Sequence, residues 1–182
     1  MLSMVEYVHR RILDYKDIYT AIDFTMGRGS DTVFLMHHAK EVLSFDIQPI
    51  AIDITRKKIG DAKHVQLILD SHENFDHYIT SFDVGIFNLG YLPQGDKSIT
   101  TTKTTSLEAI KKAVKLMNKA LFIVCYSGHE EGEKEAGAIE DYACQLDHLA
   151  YNVSVYKMLN KGKAPFVIEI QKSPFAQWTY MI

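Results

Sequence analysis

Asp23-Phe24-Thr25-Met26-Gly27-Arg28-Gly29-Ser30-Asp31-Thr32 is the stretch that decides the fold of this 182-residue chain. It follows a β-branched run that begins at Tyr19, and it opens a helical pattern that Ser30-Asp31 is predicted to cap and that continues to about His38. Gly27 and Gly29 permit a sharp turn and a close approach of the backbone to a ligand. The helix start behind them presents N–H groups to an anion. The same pattern also occurs as a plain tight turn, so the rest of the chain has to decide between these interpretations.

Short apolar runs alternate with helical segments along the rest of the chain. Further strands are predicted at Glu41–Asp46, Val65–Leu69, Phe82–Asn88, Ala120–Tyr126, Tyr151–Leu159 and Phe166–Ile170. Helices are predicted at Leu2–Leu13, Gln48–Ile59, Lys103–Asn118 and Glu131–Ala150. Strands separated by helices form right-handed βαβ units and a parallel sheet, whereas the connection at 160–165 is too short for a crossover and predicts an antiparallel hairpin.

We therefore predict an α/β fold with a single domain over residues 1–182 and a seven-stranded, mostly parallel sheet. Its C-terminal antiparallel hairpin is the topology of Rossmann-like class I methyltransferases that depend on S-adenosylmethionine (SAM). A dehydrogenase would continue with parallel strands.

The composition is that of an ordinary globular domain, with 47% hydrophobic residues and a net charge of −3. No apolar run approaches the roughly 20 residues of a membrane span, and residues 1–6 lack the plan of a secretory signal. Cys125 and Cys144 both lie in apolar contexts and are predicted to be buried thiols in a cytoplasmic protein. Positive charge is clustered at 56–58, 111–115 and 157–163, either as solvated faces or as a nucleic-acid surface.

The glycine loop lacks the third glycine of the dinucleotide fingerprint, which argues against a pyrophosphate. A cofactor with an amino group and a carboxylate fits better, with Asp23 near the amino group and loop N–H groups near the carboxylate. Asp46, at the end of the second strand, is predicted to accept hydrogen bonds from ribose hydroxyls, or else to cap the helix near Gln48. After the third strand, Ser71 and His72 are placed to contact an adenine edge, although His72 also fits an ordinary surface histidine.

The fourth strand ends in Asn88-Leu89-Gly90-Tyr91-Leu92-Pro93. The Asn88 carbonyl is suited to accept a hydrogen bond from an amine, and Tyr91 offers a face for stacking on a base. This loop is similar to the Asn-Pro-Pro-Tyr loop of amino methyltransferases, with Leu-Gly in place of the two prolines; a structural turn is the alternative. After the fifth strand, His129 is either an acid–base group or part of a helix start, and its neighbours show no metal-ligand spacing.

Four blocks along nearly the whole chain resemble the MnmM (YtqB-like) family, whose members were long labelled rRNA methylases. They are 23–32, Phe45-Asp46-Ile47-Gln48, 88–97 and 126–135, and Arg28 departs from the small polar residue of many relatives. The resemblance implies a class I fold, often as a homodimer, that uses SAM. It also implies methyl transfer to the aminomethyl group of 5-aminomethyl-2-thiouridine at the tRNA wobble position.

Residue roles follow from the loops and from this resemblance. The predicted cofactor contacts are Asp23, Thr25, Met26, Gly27, Gly29, Asp31, Thr32, Asp46, Gln48, Ser71, His72 and Asn88. The predicted catalytic residues are Asn88, Tyr91 and His129, with His129 or Asp23 as the proton acceptor. The predicted substrate contacts are Tyr91, Pro93, Lys97, Lys161 and Lys163.

The expected partner is a tRNA anticodon stem–loop, with its phosphates near lysines 157–163 or the 103–119 helix, and no metal or membrane is expected. The apolar segment 175–178 is expected either to form a dimer contact or to pack on the core. The alternatives are a methyltransferase for rRNA or a small amine, and a nucleotide-binding protein without catalysis.

Overall fold

The computed structural model of this chain describes residues 2–90 and 103–173, with the side chains of 103–105 left out. The helices are α1 (Met4–Ile12), α2 (Ser30–Met36), α3 (Pro49–Ile59), α4 (Lys103–Leu116) and α5 (Glu130–Cys144). The strands are β1 (Thr20–Asp23), β2 (Glu41–Asp46), β3 (Val65–Leu69), β4 (Phe82–Asn88), β5 (Met117–Cys125), β6 (Tyr151–Tyr156) and β7 (Phe166–Lys172). A 3₁₀ helix spans His72–His77.

The strands form one sheet in the order β3-β2-β1-β4-β5-β7-β6. Strands β1 to β5 are parallel, whereas β7 runs antiparallel to both β5 and β6. The predicted mostly parallel seven-stranded sheet with a C-terminal antiparallel hairpin is confirmed. The strand order reverses between β1 and β4, so a crevice for a ligand opens beyond their carboxyl ends.

Helices cover both faces of the sheet, which explains why its central strands read as continuous apolar runs. One buried cluster lies beneath α4, α5 and the 3₁₀ helix, and the other beneath α1 and α2. At the centre of the first, the Phe24 ring stacks on Phe87 with centroids 4.0 Å apart. Gly85 makes this possible, because a Cβ there would lie 2.7 Å from the Phe24 ring. The glycine loop therefore begins directly after a tightly packed part of the core.

The last strand also contacts the first helix. Glu169 of β7 is buried, and its carboxylate accepts hydrogen bonds from Nε and Nη2 of Arg11 at 3.0 and 2.9 Å. A two-pronged arginine–carboxylate pair of this kind has a defined geometry as well as a favourable energy. It joins α1 to the C-terminal hairpin.

Several predicted boundaries are corrected by the structure. Helix α4 ends at Leu116 and not at Asn118, because Met117 already pairs with Phe82 in the sheet. Helix α5 ends at Cys144, and β6 ends at Tyr156. Cys125 is buried as predicted, but Cys144 is exposed, because it lies on the solvent side of the last turn of α5.

Among the described residues, no helix is long and apolar enough to cross a bilayer. The cytoplasmic location stays a prediction.

Candidate cofactor and acceptor site

The glycine loop holds its shape through its own hydrogen bonds. The N–H of Thr25 donates to Asp23 Oδ1 at 3.1 Å, and that of Met26 donates to the Phe45 carbonyl at 2.8 Å. The N–H of Gly27 donates to Asp46 Oδ2 at 2.9 Å, and that of Gly29 to the Met26 carbonyl at 2.7 Å. These four loop N–H groups are therefore used within the protein and give the loop a defined curvature. The predicted contact between loop N–H groups and a cofactor carboxylate stays a prediction.

Gly29 is required at its position for two reasons. Its φ of 76° lies in the left-handed region, and a Cβ there would lie 2.4 Å from Oγ1 of the buried Thr55 on α3. Gly29 is also the residue before the first turn of α2, which has no side-chain cap. The predicted capping by Ser30-Asp31 is therefore wrong: α2 begins directly from the left-handed glycine.

Asp23 lies beneath the loop with no exposed surface. Its Oδ2 accepts a hydrogen bond from the Thr32 hydroxyl at 2.6 Å, so the acid joins β1 to the first turn of α2. Burial, and then the charge of Asp31, raise the pKa of Asp23 above its ordinary value. This geometry braces the loop. Contact with the cofactor amino group, and proton acceptance, stay predictions for Asp23.

Asp46 connects the loops that follow β1 and β2. Its carboxylate accepts from the Gly27 N–H and, at 2.9 Å, from the Gln48 N–H. Gln48 is the N-cap residue of α3, and no side chain caps this helix. The Asp46 contact to the Gln48 N–H is therefore part of the turn before α3, and the alternative that Asp46 caps the helix is wrong. Each carboxylate oxygen keeps a second lone pair, which is the acceptor that a ribose hydroxyl needs.

The loop after β3 presents a buried histidine. The Ser71 hydroxyl accepts from the Glu73 N–H at 3.3 Å and begins the 3₁₀ helix. His72 is only 4% exposed, so its interpretation as a surface residue is wrong. Burial lowers the pKa of His72 to about 4, and Nε2 has no hydrogen-bond partner among the described residues. An unpaired nitrogen there suits a ligand with an exocyclic amino group, as adenine has.

Asn88 ends β4 and is held on two sides. Its backbone N–H donates to the Thr25 hydroxyl at 2.7 Å, and its Nδ2 donates to Asp31 Oδ2 at 3.2 Å. The other oxygen of Asp31 lies 2.7 Å from Nε2 of His9 on α1. His9 is not among the predicted site residues, because no local pattern connects a histidine on the first helix with a loop after β1. The structure does bring the predicted Asp31, Thr25 and Asn88 together.

His129 is the residue before the first turn of α5, where it is exposed and its Nδ1 accepts from the Gly132 N–H at 2.9 Å. In the neutral ring this leaves the hydrogen on Nε2, which is then a donor. The geometry is that of a helix start. Proton acceptance by His129 stays a prediction, and a proton on Nδ1 would break the hydrogen bond from the Gly132 N–H. Within residues 2–90 and 103–173, no three His, Cys, Asp or Glu side chains are grouped as metal ligands.

An apolar cavity of about 290 Å³ opens beside the end of β5. It is lined by Leu2, Ser3, Met4, Val5, Tyr126, Met158, Lys161, Ala164 and Pro165. A Cβ on Gly90, two residues after Asn88, would lie 3.3 Å from the Tyr126 ring, so the cavity adjoins the loop after β4. Lys163 is exposed nearby, and Tyr91, Pro93 and Lys97 lie outside the described residues. A second cavity, of about 370 Å³, lies at the other end of the same strands, near Lys119 at the start of β5 and Lys172 at the end of β7.

The sheet order and the glycine loop after β1 are those of a class I SAM-dependent methyltransferase, with SAM as the cofactor. Comparison with known proteins supports the class. A methyltransferase structure from Streptococcus mutans, described as putative and in complex with SAH, is 39% identical with a TM-score of 0.87, covering 95% of this chain and 99% of that one. A structure of an rRNA-methylase from Clostridium thermocellum, also described as putative, is 32% identical with a TM-score of 0.88, covering 95% and 99%.

The chain belongs to the family described as "Putative rRNA methylase", whose pattern matches residues 42–172. The resemblance found in the sequence is thereby confirmed. A curated relative from Arabidopsis thaliana, the chloroplastic tRNA (mnm(5)s(2)U34)-methyltransferase, is 30% identical over 168 residues, which is 82% of this chain. The chain spans 61% of the length of that plant protein.

Proposed function

We propose that this enzyme methylates the aminomethyl nitrogen of 5-aminomethyl-2-thiouridine at the wobble position of tRNA, giving 5-methylaminomethyl-2-thiouridine. The observation that carries the proposal is the Asn88 carboxamide, whose Nδ2 is committed to Asp31 at 3.2 Å, so that its oxygen is the atom presented to an amine. The name of the plant relative supports a tRNA nucleoside as the methyl acceptor.

The chemistry needs positioning more than covalent catalysis. When bound, SAM supplies a methyl group on a positively charged sulfur. A neutral alkylamine would form the new N–C bond as the C–S bond breaks and leaves its electron pair on sulfur. The resulting ammonium would then give its proton to the proposed acceptor, His129 or Asp23. Asn88 Oδ1 would accept an amine N–H and direct the nitrogen lone pair at the methyl carbon, which is the source of rate enhancement by orientation. Tyr91 is proposed to stack on the uracil.

A surface for the anticodon stem–loop is proposed around the apolar cavity. Its rim carries Lys161, and the exposed Lys163 and Lys157 lie on the same loop between β6 and β7. Apolar walls next to exposed cations suit an unstacked base whose phosphates remain at the surface. By contrast, Lys111 and Lys112 on α4 are paired with Glu108 and Asp76, which makes α4 the weaker of the two predicted surfaces.

A homodimer belongs to the same proposal. Strand β6 is at one end of the sheet, and Val153 and Val155 are 37% and 44% exposed on it. An apolar edge strand is usually covered or paired. Light scattering at several protein concentrations checks the assembly, and a monomer throughout would remove this part of the proposal.

The decisive experiment is nucleoside mass analysis of tRNA from a strain that lacks the gene. We expect methylaminomethyl-thiouridine to disappear and its aminomethyl precursor to accumulate, with recovery by the wild-type gene but not by Asn88→Ala. Persistence of the methylated nucleoside would overturn the tRNA substrate. Purified enzyme with rRNA or small amines then tests the alternative acceptors, and absence of transfer to any acceptor would leave the nucleotide-binding alternative.

A further inference from the structure

We propose that His9 is a positioning residue, which acts through Asp31 to fix the Asn88 carboxamide with its oxygen facing the methyl acceptor. The three side chains come from α1, α2 and the end of β4. Nε2 of His9 lies 2.7 Å from Asp31 Oδ1, and Nδ2 of Asn88 lies 3.2 Å from Asp31 Oδ2. The inference rests on the proposed function, because the acceptor is taken to be an amine.

The carboxylate decides which way the amide faces. An ionised carboxylate only accepts hydrogen bonds, whereas the amide has a donor end and an acceptor end. The donor end of Asn88 therefore faces Asp31, because the reverse orientation would place two oxygens together. Since the backbone N–H of Asn88 is also held by the Thr25 hydroxyl at 2.7 Å, only the side-chain rotation is left for Asp31 to fix.

His9 keeps Asp31 in this role. Asp31 is buried, and it lies close enough to the buried Asp23 for its charge to act on that carboxyl. A buried carboxylate needs hydrogen-bond donors to satisfy its oxygens and to keep it in place. Since Asp31 can only accept, Nε2 of His9 carries the hydrogen. The imidazole ring is itself held by stacking on Phe34 of α2, with centroids 3.9 Å apart and planes 3° apart.

If the donor is removed, the Asp31 carboxylate loses the contact that fixes its rotation, and it no longer holds Nδ2 of Asn88 in one place. The Asn88 carboxamide can then turn over and place its NH₂ group toward the acceptor. An NH₂ group there would repel an amine N–H and no longer direct the lone pair of the nitrogen. Second-layer contacts of this kind keep a reacting group within the narrow geometry that a reaction needs.

The competing explanation is that His9 only joins α1 to α2. Three variants separate the two. His9→Phe keeps a ring on Phe34 but removes the donor, whereas His9→Gln restores a donor. Tyr7→Leu is the matched control: it breaks the stacking of Tyr7 on Tyr156, at 3.9 Å, and so loosens α1 without contact to Asp31.

Steady-state methylation of aminomethyl-thiouridine tRNA is measured for each variant, together with calorimetric binding of S-adenosylhomocysteine. We expect His9→Phe to lower kcat on the order of tenfold while KM and the cofactor Kd change by less than about twofold. His9→Gln should recover most of kcat, and Tyr7→Leu should keep it. An unchanged kcat in His9→Phe would overturn the inference, and so would an equal loss in Tyr7→Leu.

A second measurement needs no substrate and therefore separates this inference from the proposed function. In ¹⁵N-labelled protein, the side-chain amide signal of Asn88 is identified by its absence in Asn88→Ala. We expect His9→Phe to shift or broaden this signal and Tyr7→Leu to leave it in place. A shift in a protein that fails to methylate the tRNA would support the positioning role while overturning the substrate. If the Asn88 signal did not move in a protein that does methylate the tRNA, the positioning role would be overturned and the substrate supported.

Discussion

The cofactor side and the acceptor side of the crevice are built differently. On the cofactor side, the Gly27 N–H donates to Asp46 at 2.9 Å and joins the loop after β1 to the end of β2, and the Thr32 hydroxyl donates to Asp23 at 2.6 Å and joins α2 to β1. On the proposed acceptor side, the described residues form an apolar cavity with Lys161 at its rim, and His129 and Lys163 are exposed. A small cofactor requires a preformed cradle, whereas a large nucleic acid brings many contacts of its own. The difference indicates which changes should affect stability and which should affect only the acceptor.

The largest expected effect is on the glycine loop between β1 and α2. Gly29→Ala adds a Cβ at a φ of 76° and within 2.4 Å of Thr55 Oγ1. We expect the free energy of unfolding to fall by about 4 kcal/mol, from left-handed strain and overpacking together, with loss of SAM binding. Urea unfolding and calorimetry measure both quantities.

Gly60→Ala is the matched control for this change. Gly60 also has a positive φ, of 58°, but a Cβ there would meet nothing within 4 Å. It should therefore carry backbone strain alone and leave the cofactor affinity unchanged. If Gly29→Ala bound SAM as the wild type does, the contrast between a rigid and an open side would be lost.

The next effect is a dependence of stability on pH that belongs to the cofactor side. The pKa of His72 is about 4 in the folded protein, below its ordinary value of 6.5. As the pH falls from 6.5 to 4, the unfolded chain binds a proton that the folded protein does not, so stability is lost in this window. The loss approaches about 3 kcal/mol below pH 4.

Urea unfolding between pH 7 and pH 4 measures this loss. His72→Phe should lack this part of the slope, and the highly exposed His148, replaced by Phe, should keep it. Equal slopes in wild type and His72→Phe would contradict a buried neutral imidazole.

A smaller effect on cofactor affinity tests the predicted ribose contact of Asp46. Asp46→Ala removes the acceptor for the Gly27 and Gln48 N–H groups and, as predicted, for the ribose hydroxyls. We expect the Kd for SAM to rise about 30-fold, which corresponds to roughly 2 kcal/mol. Asp46→Asn keeps one carbonyl oxygen, so its Kd for SAM should lie between those of the wild type and Asp46→Ala. Calorimetry checks the series, and an unchanged Kd in Asp46→Ala would remove the ribose role.

The smallest expected effect is on the acceptor side. Lys161→Gln and Lys163→Gln should each raise the KM for tRNA a few-fold and reduce the salt dependence of binding by about one counterion, with the cofactor Kd unchanged. The exposed Lys57 and Lys58 on α3, each replaced by Gln, are the controls. Filter binding at several salt concentrations measures the slope. Equal slopes for all four variants would place the nucleic acid elsewhere.

The sequence was most informative where contacts are local. Each apolar run and each helical repeat can be read within a short window, so their alternation predicted the sheet although its pairings, such as Thr20 with Glu41, are long-range. The Gly27 to Gly29 turn predicted the loop between β1 and α2, because that turn depends on hydrogen bonds within a few residues. The position of His9 could not be predicted, since its contact with Asp31 joins residues 22 apart on different helices. The burial of His72 and the exposure of Cys144 likewise depend on which neighbours pack over them, and a single short window of sequence does not contain those neighbours.

Strand β7 has a consequence for the order in which the chain assembles. It lies between β5 and β6, and its Glu169 pairs with Arg11 of the first helix. While the protein is being synthesised, β6 therefore has no strand partner until residue 172 has left the ribosome. Arg11 of α1 likewise lacks the Glu169 carboxylate until then. The parallel strands β1 to β5 can pair earlier, but with β5 as an open apolar edge. Contacts between distant parts of a chain form slowly and leave such edges exposed, so the period before β7 arrives is when aggregation or chaperone capture is expected.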